Sequence, residues 1–291
     1  MKFFRVGSPG QEIAVASLDG LRGVDVSSVI AAGADPTTIE GMQLIRDAVI
    51  DSPAGEGSID LTTVRIGSPI AWPGKVICVG LNYRQHAAEA GMDIPDEPIL
   101  FMKTPYTVQG ANDDVTIPLG STKTDYEVEL AVIIGRKAEY LPSPAESRDC
   151  ILGYAISDDV SERHFQLERG GQWDKGKNCA TFNPLGPWIA TTDEVPDPQA
   201  LALRLTVNGE VRQNSSTADM IFDVDYLVWY ISQFMTLLPG DVINTGTPQG
   251  VGSGFAPGKF LSAGDIVEVS ITGLGEQRHE FVAYQRAEVA A

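Results

Sequence analysis

The chain is poor in cysteine, histidine and positive charge, and each shortage removes a class of function. Its 291 residues include three cysteines, Cys78, Cys150 and Cys179, an odd number without Cys-x-x-Cys spacing. Neither a disulfide framework nor a thiolate zinc site fits that pattern, so the three read as small buried hydrophobes. Lysine and arginine total 21 against 39 aspartates and glutamates, a net charge of −18. With no basic run to offset it locally, such a surface repels phosphate backbones and anionic bilayers, and neither nucleic acid nor membrane is an expected partner. A small anionic substrate remains compatible, because one metal ion and a few buried cations reverse a local field. Met1-Lys2-Phe3-Phe4-Arg5 opens without an apolar leader core and no run reaches the length of a membrane span, so the cytoplasm is the expected compartment. There is no internal repeat and no low-complexity tract.

What is present is an ordinary globular composition, 43% hydrophobic and 21% charged, long enough for one large core or a core with a small appended domain. Residues 1–70 read as a small N-terminal α+β domain. Phe3 to Val6 and Glu12 to Ala16 are short strands, and a helix starts after Asp35 with Pro36 at its first position and Met42, Ile45 and Val49 as its apolar stripe. Ser52 to Ser58 breaks the pattern as a linker does. Residues 71–291 read as mostly strands between Pro and Gly turns, with a helix from about Asp225 to Leu238 whose Leu227, Ile231, Phe234 and Leu238 share a face.

The most informative stretch is Tyr126-Glu127-Val128-Glu129-Leu130-Ala131-Val132-Ile133-Ile134-Gly135. Alternate strand residues share a face, so Glu127 and Glu129 point the same way at the head of an apolar, β-branched run. Two adjacent buried anions require a cation or a raised pKa. A strand that begins at the surface with both glutamates solvated is the competing reading. Asp158 and Asp159 end another apolar strand, and one of them can join the glutamates while the other faces away or caps a turn. Three carboxylates without Cys or His at ligand spacing specify a hard cation, Mg²⁺, Mn²⁺ or Ca²⁺ rather than Zn²⁺.

His86 and Glu89 stand at i and i+3 on a helix expected within Leu81 to Glu89, where a carboxylate can fix an imidazole tautomer and raise its basicity. A merely exposed pair is the alternative. Lys177 is a candidate cation for an anionic substrate. The glycine-rich loop Asn244 to Gly252 lacks the phosphate-loop and dinucleotide patterns, yet its N–H groups and the Thr247 hydroxyl suit a carboxylate; a plain hairpin loop competes.

In order, Asn82-Tyr83 with His86 and Glu89, Asp125-Tyr126-Glu127-Val128-Glu129-Leu130, Gly153-Tyr154 with Asp159, Ser161, Arg163 and Gln166, Lys177, Val207-Asn208-Gly209-Glu210 and Thr245-Gly246-Thr247-Pro248 closely resemble the fumarylacetoacetate hydrolase superfamily, over about residues 75 to 285. The resemblance implies a mainly β, α+β fold: a mixed β-sandwich roll carrying the small N-terminal domain. It implies homodimers or higher homo-oligomers, a Mg²⁺ or Mn²⁺ held by Glu127, Glu129 and Asp159, and His86 with Glu89 as a water-activating dyad on a segment that closes over the substrate. Two departures stand out. Many bacterial members have Asn-Asp where this chain has Asp158-Asp159, adding a charge beside the metal, and an Asp where it has Ala180, removing a carboxylate near Lys177.

The chemistry these residues suit is hydrolysis of a C–C bond in a 2,4-dioxo acid to pyruvate and a second acid. His86, oriented by Glu89, takes a proton from water attacking C4. Lys177, Arg163, Gln166 and Thr247 position the substrate and balance its charge. Acylpyruvates and 2,4-diketo-3-deoxy sugar acids both suit, and the Gln172-Trp173 region and chain length favour the sugar acid. Decarboxylation of oxaloacetate or isomerisation of a dienedioate on the same site is the nearest rival, and a non-catalytic metal-binding scaffold is the rival of another class.

Overall fold

A computed structural model describes residues 1–51 and 57–286. Most of the segment expected as a linker, Ser52 to Ser58, lies outside them. The fold is mainly β with short helices, an α+β arrangement in which a twelve-stranded mixed sheet packs on a five-stranded one.

The centre of the large sheet is Val128–Ile134, paired antiparallel with Ile151–Asp158 on one side and Val242–Asn244 on the other. All seven residues of this strand are buried. That explains why it reads as an unbroken apolar run: a strand covered on both faces has no solvent side to alternate with. Val128, Leu130 and Val132 face a core shared with Leu203, Leu205, Val267 and Val269 of the smaller sheet. Ala131 and Ile133 face a second core, built with Met42, Ile45 and Val49. Those three lie on the helix Ile39–Asp51. It starts later than Pro36, because Asp35 Oδ1 accepts the Thr37 N–H and Thr38 Oγ1 accepts that of Gly41, holding Pro36 in the preceding turn.

The N-terminal strands continue the large sheet rather than forming their own. Lys2–Val6 pairs antiparallel with Asn183–Thr191 as well as with Ile13–Ser17. The expected boundary at residue 70 therefore marks a change of sequence character and not a break in hydrogen bonding.

The helix expected over Asp225 to Leu238 is shorter, Val224–Ser232, capped by the Asp223 side chain on the Tyr226 N–H at 2.8 Å. It stops where Ser232 Oγ turns back onto the Trp229 carbonyl at 2.6 Å and Leu237 is drawn into a bridge with Ala138. Leu227 and Ile231 are buried as expected, whereas Phe234 and Leu238, now beyond the helix, are 63% and 47% exposed. Cys78 and Cys150 are buried and Cys179 is half-buried, all as free thiols. Among the described residues no helix is long and apolar enough to cross a membrane.

Leu130→Ala should lower unfolding stability by about 3 kcal/mol, the usual scale for a cavity in a core that cannot collapse. The measurement is the urea midpoint at constant m; a change under about 1 kcal/mol would contradict a close-packed interface between the sheets.

Candidate active site

Glu127 and Glu129 stand at the head of the central strand, and Asp159 follows the end of its hairpin partner. The register pairs Val128 with Asp158, and Asp159 N donates to the Glu127 carbonyl at 2.9 Å. One carboxylate oxygen from each of Glu127, Glu129 and Asp159 lies within 4.8 Å of the others, and all three residues are buried. The solvated alternative for the Glu-x-Glu pair is thereby removed.

Three cations are packed against this cluster. Lys177 Nζ bonds Glu127 Oε2 at 2.7 Å and Asp159 Oδ2 at 2.8 Å. Arg163 Nε bonds Asp125 Oδ2 at 2.8 Å, and its Nη2 pairs with Glu127 Oε1 at 2.6 Å. Lys103 bonds Asp159 and also the carbonyls of Val160 and Phe182 at 3.1 and 2.6 Å. Four carboxylates thus meet three cations, which leaves one negative charge in excess. The excess falls on Glu129, whose only hydrogen bond among the described residues is from the Gly246 N–H at 2.8 Å. Burial and the neighbouring charges of Asp159 and Glu127 push its carboxyl well above the ordinary range. Burial works against Glu127 too, but Lys177 and Arg163 outweigh it and hold that carboxyl at about 2. A buried, convergent, all-oxygen donor set with one uncompensated charge fits a hard divalent cation.

Lys177 was expected at the substrate's anionic end; its ammonium lies between two of the carboxylates, 5.2 Å from the Phe101 ring centre. Burial opposes its charge, yet Asp159 and Glu127 raise its pKa above the ordinary lysine value. Gln166 accepts from Arg163 Nη1 at 3.1 Å. The Thr247 hydroxyl donates to the Val128 carbonyl at 3.0 Å and accepts from Gln213 at 2.9 Å.

His86 and Glu89 lie on the helix Arg84–Glu89, with His86 Nδ1 3.1 Å from Glu89 Oε2. The other oxygen of Glu89 accepts the Gly250 N–H at 2.9 Å. The loop expected to hold a carboxylate therefore does so, but the carboxylates are the protein's own: Gly246 takes Glu129, Gly250 takes Glu89, and Gly252 and Ser253 take Asp125. His86, Glu127, Glu129, Arg163, Gln166, Lys177 and Thr247 all line one cavity of about 150 Å³. A larger cavity of about 270 Å³, between Met42, Arg46 and Arg136, contains none of them.

Neither departure from the family pattern puts a side chain into the carboxylate cluster. The Asp158 carboxylate points away from the three clustered carboxylates: Oδ2 faces His279 Nε2 at 3.0 Å and Oδ1 accepts the Glu127 N–H at 2.8 Å. Successive strand residues face opposite sides, so Asp158 turns towards the five-stranded sheet. Ala180 is exposed on a turn. Lys103 and His279 escaped the sequence reading. The one signal for Lys103 is a lysine closing the otherwise apolar strand Ile99–Lys103, since lysine is almost never fully buried unless paired.

A fumarylacetoacetate hydrolase C-terminal profile matches residues 75–282. The chain belongs to the fumarylacetoacetate hydrolase family. It is 47% identical over 283 residues to a Burkholderia multivorans protein named as a hydrolase without a stated substrate, covering 95% of this chain and 97% of that one. Among solved structures it resembles maleylpyruvate hydrolase from Sphingobium sp. SYK-6 in complex with manganese(II) and pyruvate, at 29% identity and a TM-score of 0.79. It also resembles 2-hydroxyhepta-2,4-diene-1,7-dioate isomerase from Mycobacterium marinum, at 34% and 0.76. Each match covers 98% of this chain and all of the other.

Two outcomes follow from the charge excess. Glu129 keeps its proton to higher pH folded than unfolded. Below the ordinary carboxylate range both states hold it and stability does not vary with its titration. Above that range the unfolded chain releases it first, so the metal-free fold loses stability as pH rises towards Glu129's raised pKa. Mn²⁺, which needs the ionised carboxylate, must displace that proton: affinity should rise with pH, and titration calorimetry in buffers of different ionisation enthalpy should detect proton release. Uptake of protons, or pH-independent affinity, would contradict the assignment. Lys103→Met should destabilise the metal-free protein by about 3 kcal/mol, with saturating Mn²⁺ recovering part of the loss in thermal unfolding.

Proposed function

We propose that the protein is a divalent-metal-dependent hydrolase that cleaves the C3–C4 bond of a 2,4-dioxo acid to give pyruvate and a second acid. One observation carries this reading: His86, paired with a Glu89 that is anchored at the Gly250 N–H, lines the same cavity as Glu127 and Glu129 of the carboxylate cluster. Decarboxylation or isomerisation needs no water-activating base there.

Glu127, Glu129 and Asp159 would hold Mg²⁺ or Mn²⁺, whose Lewis acidity would polarise the C1 carboxylate and C2 oxygen of the substrate. When Nδ1 of His86 donates to Glu89, Nε2 is the basic nitrogen, and it takes the proton as the hydroxyl of water adds to C4. The C3–C4 electron pair passes to C3, which takes the proton held by His86, and the new carboxylic acid releases its own, so one water and one dioxo acid anion give two carboxylates and one proton. Arg163 and Lys177 keep the cluster charge-balanced while the anionic half enters, and the Gln166 side chain orients it. A small anionic dioxo acid of the acylpyruvate kind is the partner this site suits; we take the working unit to be a homodimer in the cytoplasm.

His86→Ala should reduce pyruvate release from dioxo acids by roughly two to four orders of magnitude, the scale of a general base, with Mn²⁺ affinity unchanged. Glu127→Ala, by contrast, should lose metal binding and turnover together. Pyruvate release at the wild-type rate in His86→Ala would eliminate the dyad, and CO₂ or an isomer as the sole product would replace the hydrolase by its rivals.

A further inference from the structure

We infer that the acyl half of the substrate is an apolar chain, neither a second carboxylate nor a polyol, an inference that rests on the dioxo acid reading above. The cavity is lined by two chemically distinct sets of side chains. Its ionisable side chains are Glu127, Glu129, Arg163, Lys177 and His86, while the remaining wall is built chiefly from Val79, Leu81, Met92, Phe101, Leu167 and Trp173. The Trp173 ring is held in place from two directions. Phe101 meets it edge-on, with ring centres 5.6 Å apart at 72°. Gly80 lies beneath it so closely that a Cβ there would come within 2.6 Å of Trp173 Cζ3. Glycine at that position therefore lets an indole lie against the strand Val76–Gly80, and any larger residue would push the ring aside.

A distal carboxylate would need a free cation at this wall. The lysine and arginine that line the cavity are already neutralised by the protein's own carboxylates: Lys177 is hydrogen-bonded to Glu127 and Asp159, and Arg163 is hydrogen-bonded to Asp125 and ion-paired with Glu127. The next cations along the chain, Arg169 and Lys175, line a separate shallow cavity with Phe165, where Lys175 Nζ donates to the Arg169 carbonyl at 2.7 Å. Among the described residues no further cation lines the site. Its neutral polar groups are Gln166, Thr247 and Ser253; Gln166 Oε1 accepts from Arg163, and the Thr247 hydroxyl is held by Val128 and Gln213. A hydroxylated or ionised tail would leave its polar groups unpaired against indole and thioether surface, whereas an alkyl tail would displace water from it.

The test separates the wall from the chemistry by using unreactive oxamates that keep the chelating head and vary only the tail. N-butyl oxamate, N-(3-carboxypropyl) oxamate and N-(2,3-dihydroxypropyl) oxamate are titrated calorimetrically into the Mn²⁺-loaded protein. The butyl compound should bind at least tenfold tighter than either other. Trp173→Ala should shrink that preference to under threefold while leaving affinity for tailless oxamate unchanged, and Met92→Ser, at an exposed position where folding is not at stake, should weaken the butyl compound alone. Equal or tighter binding of the carboxyl or dihydroxyl compound, or a preference indifferent to Trp173→Ala, would overturn the inference. Dioxo acids with the same three tails are assayed in parallel. Absence of pyruvate from all of them would sink the hydrolase reading, while the oxamate order would still decide the nature of the wall.

Discussion

Four carboxylates held away from water at the head of one strand are the constraint around which the rest of the site is arranged. Glu127, Glu129, Asp159 and Asp125 are all buried, and anions in such a place persist only with partners. Those partners come from far along the chain. Lys103 closes the edge strand Ile99–Lys103, Arg163 opens the short helix Arg163–Leu167, and Lys177 ends the helix Asp174–Lys177. Only the first of these segments belongs to the large sheet; the two helices pack on each other, and the second packs on that strand. Forming the cluster therefore requires most of the fold, and loss of any one cation leaves a buried charge exposed to its neighbours.

The loop after Val242–Asn244 joins this cluster to the His86–Glu89 pair. Gly246 can donate to Glu129 because its backbone has φ near +100° and because a Cβ would strike the Asn82 side chain at 2.7 Å. Asn82 in turn accepts the Phe222 N–H and donates to the Thr245 carbonyl at 2.8 Å each. Asn82, two residues before the helix that bears the dyad, is thus a clamp on the loop and not a chemical participant. Gly250, Gly252 and Ser253 extend the same device to Glu89 and Asp125. Backbone amides suit this purpose because they add partial positive charge without a competing counter-ion.

Much of the site was legible because strand geometry and hydrogen-bond chemistry are local. Glu127 and Glu129 had to share a face, and a buried run could begin with them only if something positive lay opposite. His86 and Glu89 had to be neighbours if their segment was helical, as it is. The limits were equally physical. The helix from Val224 was read too long because the periodicity of Phe234 and Leu238 carries no record of the competing bridge between Leu237 and Ala138. Asp158 was read as a charge beside the metal because nothing nearby in sequence reveals His279, 121 residues away.

The sequence by itself determined which groups are present and which of them share a face: paired glutamates on an apolar strand, an aspartate at the end of another, a histidine with a carboxylate one helical turn away, and a net charge that disfavours phosphate backbones. The family and the α+β architecture were also readable there, because the order of short motifs carries both. Only the tertiary structure decided how the charges are matched, since Lys103, Lys177 and Arg163 meet the carboxylates through contacts that no spacing encodes. It alone decided that the glycine-rich loop binds the protein's own carboxylates. It decided too that Trp173, Phe101 and Leu81 make one wall, because packing across segments is set by the fold's closure and not by any periodicity along the chain.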